Sequence, residues 1–282
     1  MFTLQNSHLS VRILDPVADR HYSGSRYVSG GYIFQIRDAD GNDLLSGPRF
    51  GDPAFNVFDG QGAPELFVPS DTSAPVGDDV LVPGVGLVKR TSAAAPFHVR
   101  DNPVVSEFTV WDIDTGDNRI TMKTTQRFRE KHLSITRTVL LNDRTIESAT
   151  ILENQGSSPL PIRWFAHPFF PLSVNGEMCI FSLPVAMPEN PGYALRDDGM
   201  VIMKSGYHWE KGLFLNLGDL SGREPLSVRQ RHPILSEIGV TCDFAPGELA
   251  IWANHHAFSF EAFLEKTIRP GGAAAWGIRY SL

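Results

Sequence analysis

The run Leu133-Ser134-Ile135-Thr136-Arg137-Thr138-Val139 decides the fold class. Leu133, Ile135 and Val139 keep to one parity while Ser134, Thr136 and Thr138 take the other, the pattern of a strand with one face in a core. Phe128, just upstream, sits on the opposite parity. A turn or bulge is therefore expected between Glu130 and His132. Within Arg127-Phe128-Arg129-Glu130-Lys131-His132, the parity shared by Arg127, Arg129 and Lys131 reads as the solvated face of a strand.

The same periodicity extends outward. Ser10 to Leu14 nearly alternates, Gly31 to Arg37 precedes a turn at Asp38-Ala39-Asp40-Gly41-Asn42, and much of Arg144 to Leu152 repeats the pattern. Trp276, Ile278 and Tyr280 fall on one strand face behind the turn Arg269-Pro270-Gly271-Gly272. Long helical stripes are absent. These segments predict an all-β protein of antiparallel strands in packed sheets.

With 282 residues, 42% of them hydrophobic, the chain can bury a large core as one domain over residues 1–282. A net charge of -7 and scattered basic residues argue against nucleic acid or a membrane surface as partner. No apolar stretch reaches the length of a membrane span. The two cysteines, Cys179 and Cys242, allow at most one disulfide, and the first residues lack the pattern of a secretory signal, so a reducing, cytoplasmic location is expected.

Two titratable residues stand out among aromatics: His167 in Trp164-Phe165-Ala166-His167-Pro168-Phe169-Phe170, and Glu261 in Phe258-Ser259-Phe260-Glu261-Ala262-Phe263. An imidazole and a carboxylate converging on one pocket make acid/base machinery, and the aromatic surroundings suit the flat face of a sugar ring. A buried structural histidine and a strand-end carboxylate are the alternative readings of the same residues. The interval Gly47 to Pro103, dense in Gly, Pro, Asp and Ala, reads as a long irregular connection that either builds a site on the scaffold or is a mobile excursion. Its Gly84-Val85-Gly86 lacks the spacing of a dinucleotide fingerprint. His255 and His256 are adjacent, which in a strand points them to opposite faces, and no zinc spacing marks the histidines. No metal and no cofactor are expected.

In order and spacing, several pieces together resemble the aldose 1-epimerases of the galactose mutarotase-like group. They are Ser23-Gly24-Ser25-Arg26-Tyr27 with Gly30-Gly31, Gly84-Val85-Gly86 running to Arg90, Asn154-Gln155-Gly156, His167-Pro168-Phe169-Phe170, Phe260-Glu261, and Pro270-Gly271 before Trp276. The resemblance spans most of the chain. It implies a large antiparallel β-sandwich, a general acid at His167, a general base at Glu261, and no cofactor. Lys89-Arg90 replaces the family's Asn-Arg pair, His98 stands in for its second histidine, and Glu65 and Arg26 are further substrate-binding candidates. Glu265 competes with Glu261 for the base. The expected partner is a small-molecule sugar, neutral or acidic, bound by a monomer or homodimer. A noncatalytic carbohydrate-binding protein and another sugar-acting enzyme, such as a lyase, remain open on the same scaffold.

Overall fold

The computed structural model describes residues 1–20, 29–49, 60–69, 73–95, 97–220 and 224–282. In chain order the strands begin with β1 (Phe2–Gln5), β2 (Leu9–Ile13), β3 (Ile33–Asp38), β4 (Glu65–Val68), β5 (Asp79–Val82), β6 (Gly86–Lys89) and β7 (Val105–Phe108). There follow β8 (Asp112–Thr115), β9 (Arg119–Phe128), β10 (Lys131–Asn142), β11 (Thr145–Asn154), β12 (Leu160–Ala166), β13 (Phe170–Pro171), β14 (Glu177–Phe181), β15 (Tyr193–Leu195) and β16 (Met200–Met203). The last are β17 (Leu213–Asp219), β18 (Ser227–His232), β19 (Ser236–Cys242), β20 (Glu248–Ala253), β21 (Ala257–Ile268) and β22 (Ala273–Ser281). Among the described residues there is no α-helix, and no helix is long and apolar enough to cross a membrane.

Ten strands form one antiparallel sheet in the order β15-β16-β14-β18-β19-β22-β11-β10-β9-β8. A second sheet runs β17-β20-β21-β12-β4, with β13 also paired to β21. Inward side chains of both meet in one apolar core: Leu133, Ile135 and Val139 of β10 and Trp276, Ile278 and Tyr280 of β22 from the first, and Trp164, Phe258, Phe260 and Leu264 from the second. This is a large antiparallel β-sandwich, as the alternation predicts. Two three-stranded sheets, β1-β2-β3 and β5-β6-β7, complete the described strands.

Two segments depart from the sequence reading. The run Arg127 to His132 is not one strand face: β9 ends at Phe128 and β10 begins at Lys131, so Arg129 and Glu130 are the turn of a hairpin, with Arg129 at φ 54°. The parity change at Phe128 marks that turn. The interval Gly47 to Pro103 carries β4, β5 and β6, and Val80, Val82, Val85 and Val88 pack with Phe97 and Val99 into a satellite core of their own. Short valine strands cut by Gly84 and Gly86 mimic loop composition.

β10 also brings a charge into the core. Arg137 shares the parity of Leu133 and Ile135, and it is buried with them. Its guanidinium pairs with Glu65 of β4, also buried, and donates to Ser148 Oγ at 2.9 Å, to the Gly30 carbonyl at 3.1 Å and to Thr150 Oγ1. Ser148 Oγ in turn donates to Glu65. A satisfied ionic network therefore ties the two sheets together through the core.

Candidate active site

Because strand side chains alternate, β21 has a second face. Phe258, Phe260, Ala262 and Leu264 enter the sandwich core, and Ser259, Glu261 and Phe263 point the other way. Register places Trp252 of β20 opposite Ser259, Phe165 of β12 opposite Phe263, and Phe214 of β17 opposite Trp252. That outer face is the floor of a cleft of about 1120 Å³, to which Glu261, Phe263, Phe165, Phe169, Trp252 and Phe214 contribute.

His167 lies one residue beyond β12, with Phe165 two positions before it. Its backbone N–H donates to the Pro64 carbonyl at 2.9 Å, and that of Phe169 donates to the Gly62 carbonyl at 2.7 Å. Gly62 has φ 74°, and a Cβ there would lie 2.4 Å from the Ile33 carbonyl oxygen. Only glycine allows the chain to pass so close and present that carbonyl. The segment carrying the imidazole is thereby pinned to the rest of the sheet.

The imidazole Nε2 lies 3.3 Å from Glu261 Oε1, and both residues are only 5% exposed. On the other side of the ring, Nδ1 is 2.7 Å from Ser259 Oγ. Phe169 packs against the ring at 4.4 Å between centroids, and Trp252 stands edge-on at 6.4 Å. Trp252 is itself backed by Phe169 at 5.9 Å and by Gly212. Phe214 remains 51% exposed on the cleft wall, unusual for a large apolar side chain, and presents an aromatic surface beside Trp252.

Other sequence candidates fall in various places. His98 lines the cleft, exposed, with its Nδ1 accepting the Arg100 backbone N–H at 3.1 Å. Glu65 faces the sandwich core, because its partner Ala166 is on the core parity of β12, and its carboxylate is engaged by Arg137 and Ser148. Arg90 donates to the loop carbonyls of Ala74 and Ser92 and braces the β5–β6 region. Arg26 lies outside the described residues. Glu265, two strand positions beyond Phe263, pairs with Arg163, which also binds Glu248 at 2.6 Å. Burial works against the Arg163 cation, but the hydrogen bonds and charges of Glu248 and Glu265 outweigh it and raise its pKa.

His255 and His256 are not in a strand. They occupy the turn between β20 and β21, where Asn254 accepts the N–H groups of His256 and Ala257 at 2.8 and 3.0 Å and donates to the Pro48 carbonyl at 2.7 Å. Both rings therefore reach the cleft, 3.9 Å apart. Among the described residues no three His, Cys, Asp or Glu side chains gather as a metal site, and Cys179 and Cys242 are buried free thiols. The sequence reading passed over Ser259, Trp252 and Phe214. Ser259 had a signal: it stands two residues before Glu261, on the same strand face.

No protein-family model and no curated protein matches the chain. Solved structures do. A galactose mutarotase related enzyme from Lactobacillus acidophilus aligns over 99% of this chain and 96% of its own at 12% identity, with a TM-score of 0.60. A galactose mutarotase-like protein from Lactobacillus casei aligns over 100% and 99% at 15% identity, with a TM-score of 0.57. The GalM/aldose epimerase homologue from C. elegans aligns over 99% and 97% at 12% identity, with a TM-score of 0.54. At these identities the likeness is one of fold, and the chain has the galactose mutarotase-like fold.

Proposed function

We propose that the protein is an aldose 1-epimerase, interconverting the anomers of an aldose or related sugar with His167 as general acid and Glu261 as general base. The observation that carries this reading is the approach of Nε2 to Oε1 at 3.3 Å on the aromatic floor of a cleft. The anomeric carbon of a cyclic sugar bears two oxygens, the ring oxygen and the hydroxyl. An acid and a base side by side can address both at once.

The reaction starts from the imidazolium and the carboxylate. Glu261 takes the proton of the anomeric hydroxyl as His167 gives one to the ring oxygen. The bond from the anomeric carbon to the ring oxygen breaks, leaving a carbonyl and a free hydroxyl. Rotation about the adjacent carbon–carbon bond turns the other carbonyl face toward that hydroxyl. On closure His167 recovers its proton from the attacking hydroxyl, and Glu261 returns its own to the carbonyl oxygen. Both groups end in their starting states, so the same pair serves both directions. Phe214 and Trp252 supply a wall for the apolar face of the ring.

Polarimetry on freshly dissolved single anomers, with the spontaneous rate subtracted, tests the proposal. Glu261→Gln and His167→Asn should each slow interconversion by roughly 10²-fold or more, with the circular dichroism spectrum of the folded protein retained. A wild type that adds nothing to the buffer rate across common aldoses, while calorimetry detects sugar binding, replaces the epimerase with a binding protein.

A further inference from the structure

β21 touches the imidazole twice. Ser259 and Glu261 stand on the same face of the strand, two residues apart, and His167 spans them with Nδ1 at Ser259 Oγ and Nε2 at Glu261 Oε1. Ser259 is fully buried. Its hydroxyl has a second acceptor in reach, the Phe260 carbonyl at 3.4 Å.

We infer that Ser259 is a positioning residue for His167, a hydroxyl rotor that serves both protonation states of the imidazole; this rests on the acid role proposed for His167. When the ring is neutral with its proton on Nε2, Nδ1 is an acceptor and Ser259 donates its O–H to it. When the ring is cationic, Nδ1 carries a proton, and Ser259 accepts it while turning its own hydrogen toward the Phe260 carbonyl. A hydroxyl is a donor and an acceptor at once, which fits this duty. Neither state then leaves Nδ1 without its serine contact at a buried position, where an unmet polar group is costly. The ring is also held edge to edge between two points of a rigid strand, so Nε2 stays aimed as its charge changes.

Two measurements decide it. Nitrogen NMR on isotope-labelled protein, with His167 assigned through His167→Asn, reads the environment of Nδ1 directly. A hydrogen-bonded Nδ1 is expected in the wild type on both sides of the ring's titration, and Ser259→Ala should abolish that signature in both states. In polarimetry Ser259→Ala should lower kcat roughly 10-fold with KM little changed, the scale of a lost hydrogen bond to a charged group. Ser259→Thr, which retains the hydroxyl, should recover most of that loss. An Nδ1 signal that is the same in the wild type and in Ser259→Ala overturns the proposal whatever the activity, as does a Ser259→Ala enzyme with wild-type kcat. If the wild type does not turn over sugar but Nδ1 responds to Ser259→Ala, the epimerase reading fails while the serine's hold on the ring stands.

Discussion

Replacing Glu65 by Gln keeps the shape of the side chain and removes the counter-charge of a guanidinium only 3% exposed. Arg137 would keep its contacts with Gly30, Ser148 and Thr150 but face the core as an uncompensated cation. Breaking one side of a buried pair costs about 3–5 kcal/mol, which for a folded chain of this size lowers the melting temperature by roughly 6–20 °C. Circular dichroism melts and urea titrations of the wild type and Glu65→Gln measure it. Asp198→Asn, which breaks the exposed pair with Arg196, is the control and should shift the midpoint far less. The double variant Glu65→Leu with Arg137→Met removes both charges and should regain most of the loss. The reasoning fails if Glu65→Gln melts with the control. If it also changed KM with stability intact, Glu65 would return to the sugar site.

Two further outcomes follow from the cleft and the core. On the proposed epimerase reading, Phe214→Ala should raise KM roughly 2- to 10-fold with kcat nearly unchanged, because an exposed wall aromatic would hold the sugar without touching its reacting oxygens; steady-state polarimetry separates the two constants. His232 is buried, donates from Nε2 to the Leu44 carbonyl at 3.0 Å, and accepts the backbone N–H groups of Ile234 and Leu235 on Nδ1. Burial lowers its pKa below the ordinary 6.5, so the unfolded chain takes up the proton first and this contribution, complete above 6.5, fades as pH falls below it. Urea midpoints at about pH 8 and about pH 5.5 should therefore differ more in the wild type than in His232→Asn.

The sequence was informative where a pattern repeats over many residues. Leu133, Ile135, Val139 and Leu141 set against Ser134, Thr136 and Thr138 in β10, and the row Trp276, Ile278 and Tyr280 in β22, leave little choice but strands with one face in a core. It was less informative where a strand is four residues long. In β4 the parity of Glu65 cannot be read until its partner Ala166 is known, and the same holds for the valine strands among the glycines of residues 79–89. Arg137 was the converse case, an arginine in the apolar row of Leu133 and Ile135, a conflict that only a buried partner resolves. The approach of His167 to Glu261 depends on register between β12 and β21, in which Ala166 faces Ala262 across strands far apart in the chain. Aromatic company marked both residues, but periodicity alone does not set that register. His255 and His256 escaped a strand-based rule because Asn254 makes a turn where alternation continues on paper.

The place of β22 bears on how the molecule is made. β8 to β11 form a continuous meander, and β14, β15, β16, β18 and β19 supply the other half of the ten-stranded sheet; the seam between them is β22, paired to β11 on one side and to β19 on the other. During synthesis both halves leave the ribosome before the strand that joins them. Until Ala273–Ser281 emerges, β11 and β19 each wait with one row of backbone N–H and C=O groups unpaired, and the inner faces of both halves wait to be closed. A nascent chain stalled before that point offers two open sheet edges to its neighbours, so translation pauses or cuts there should favour aggregation more than a point substitution elsewhere on the surface.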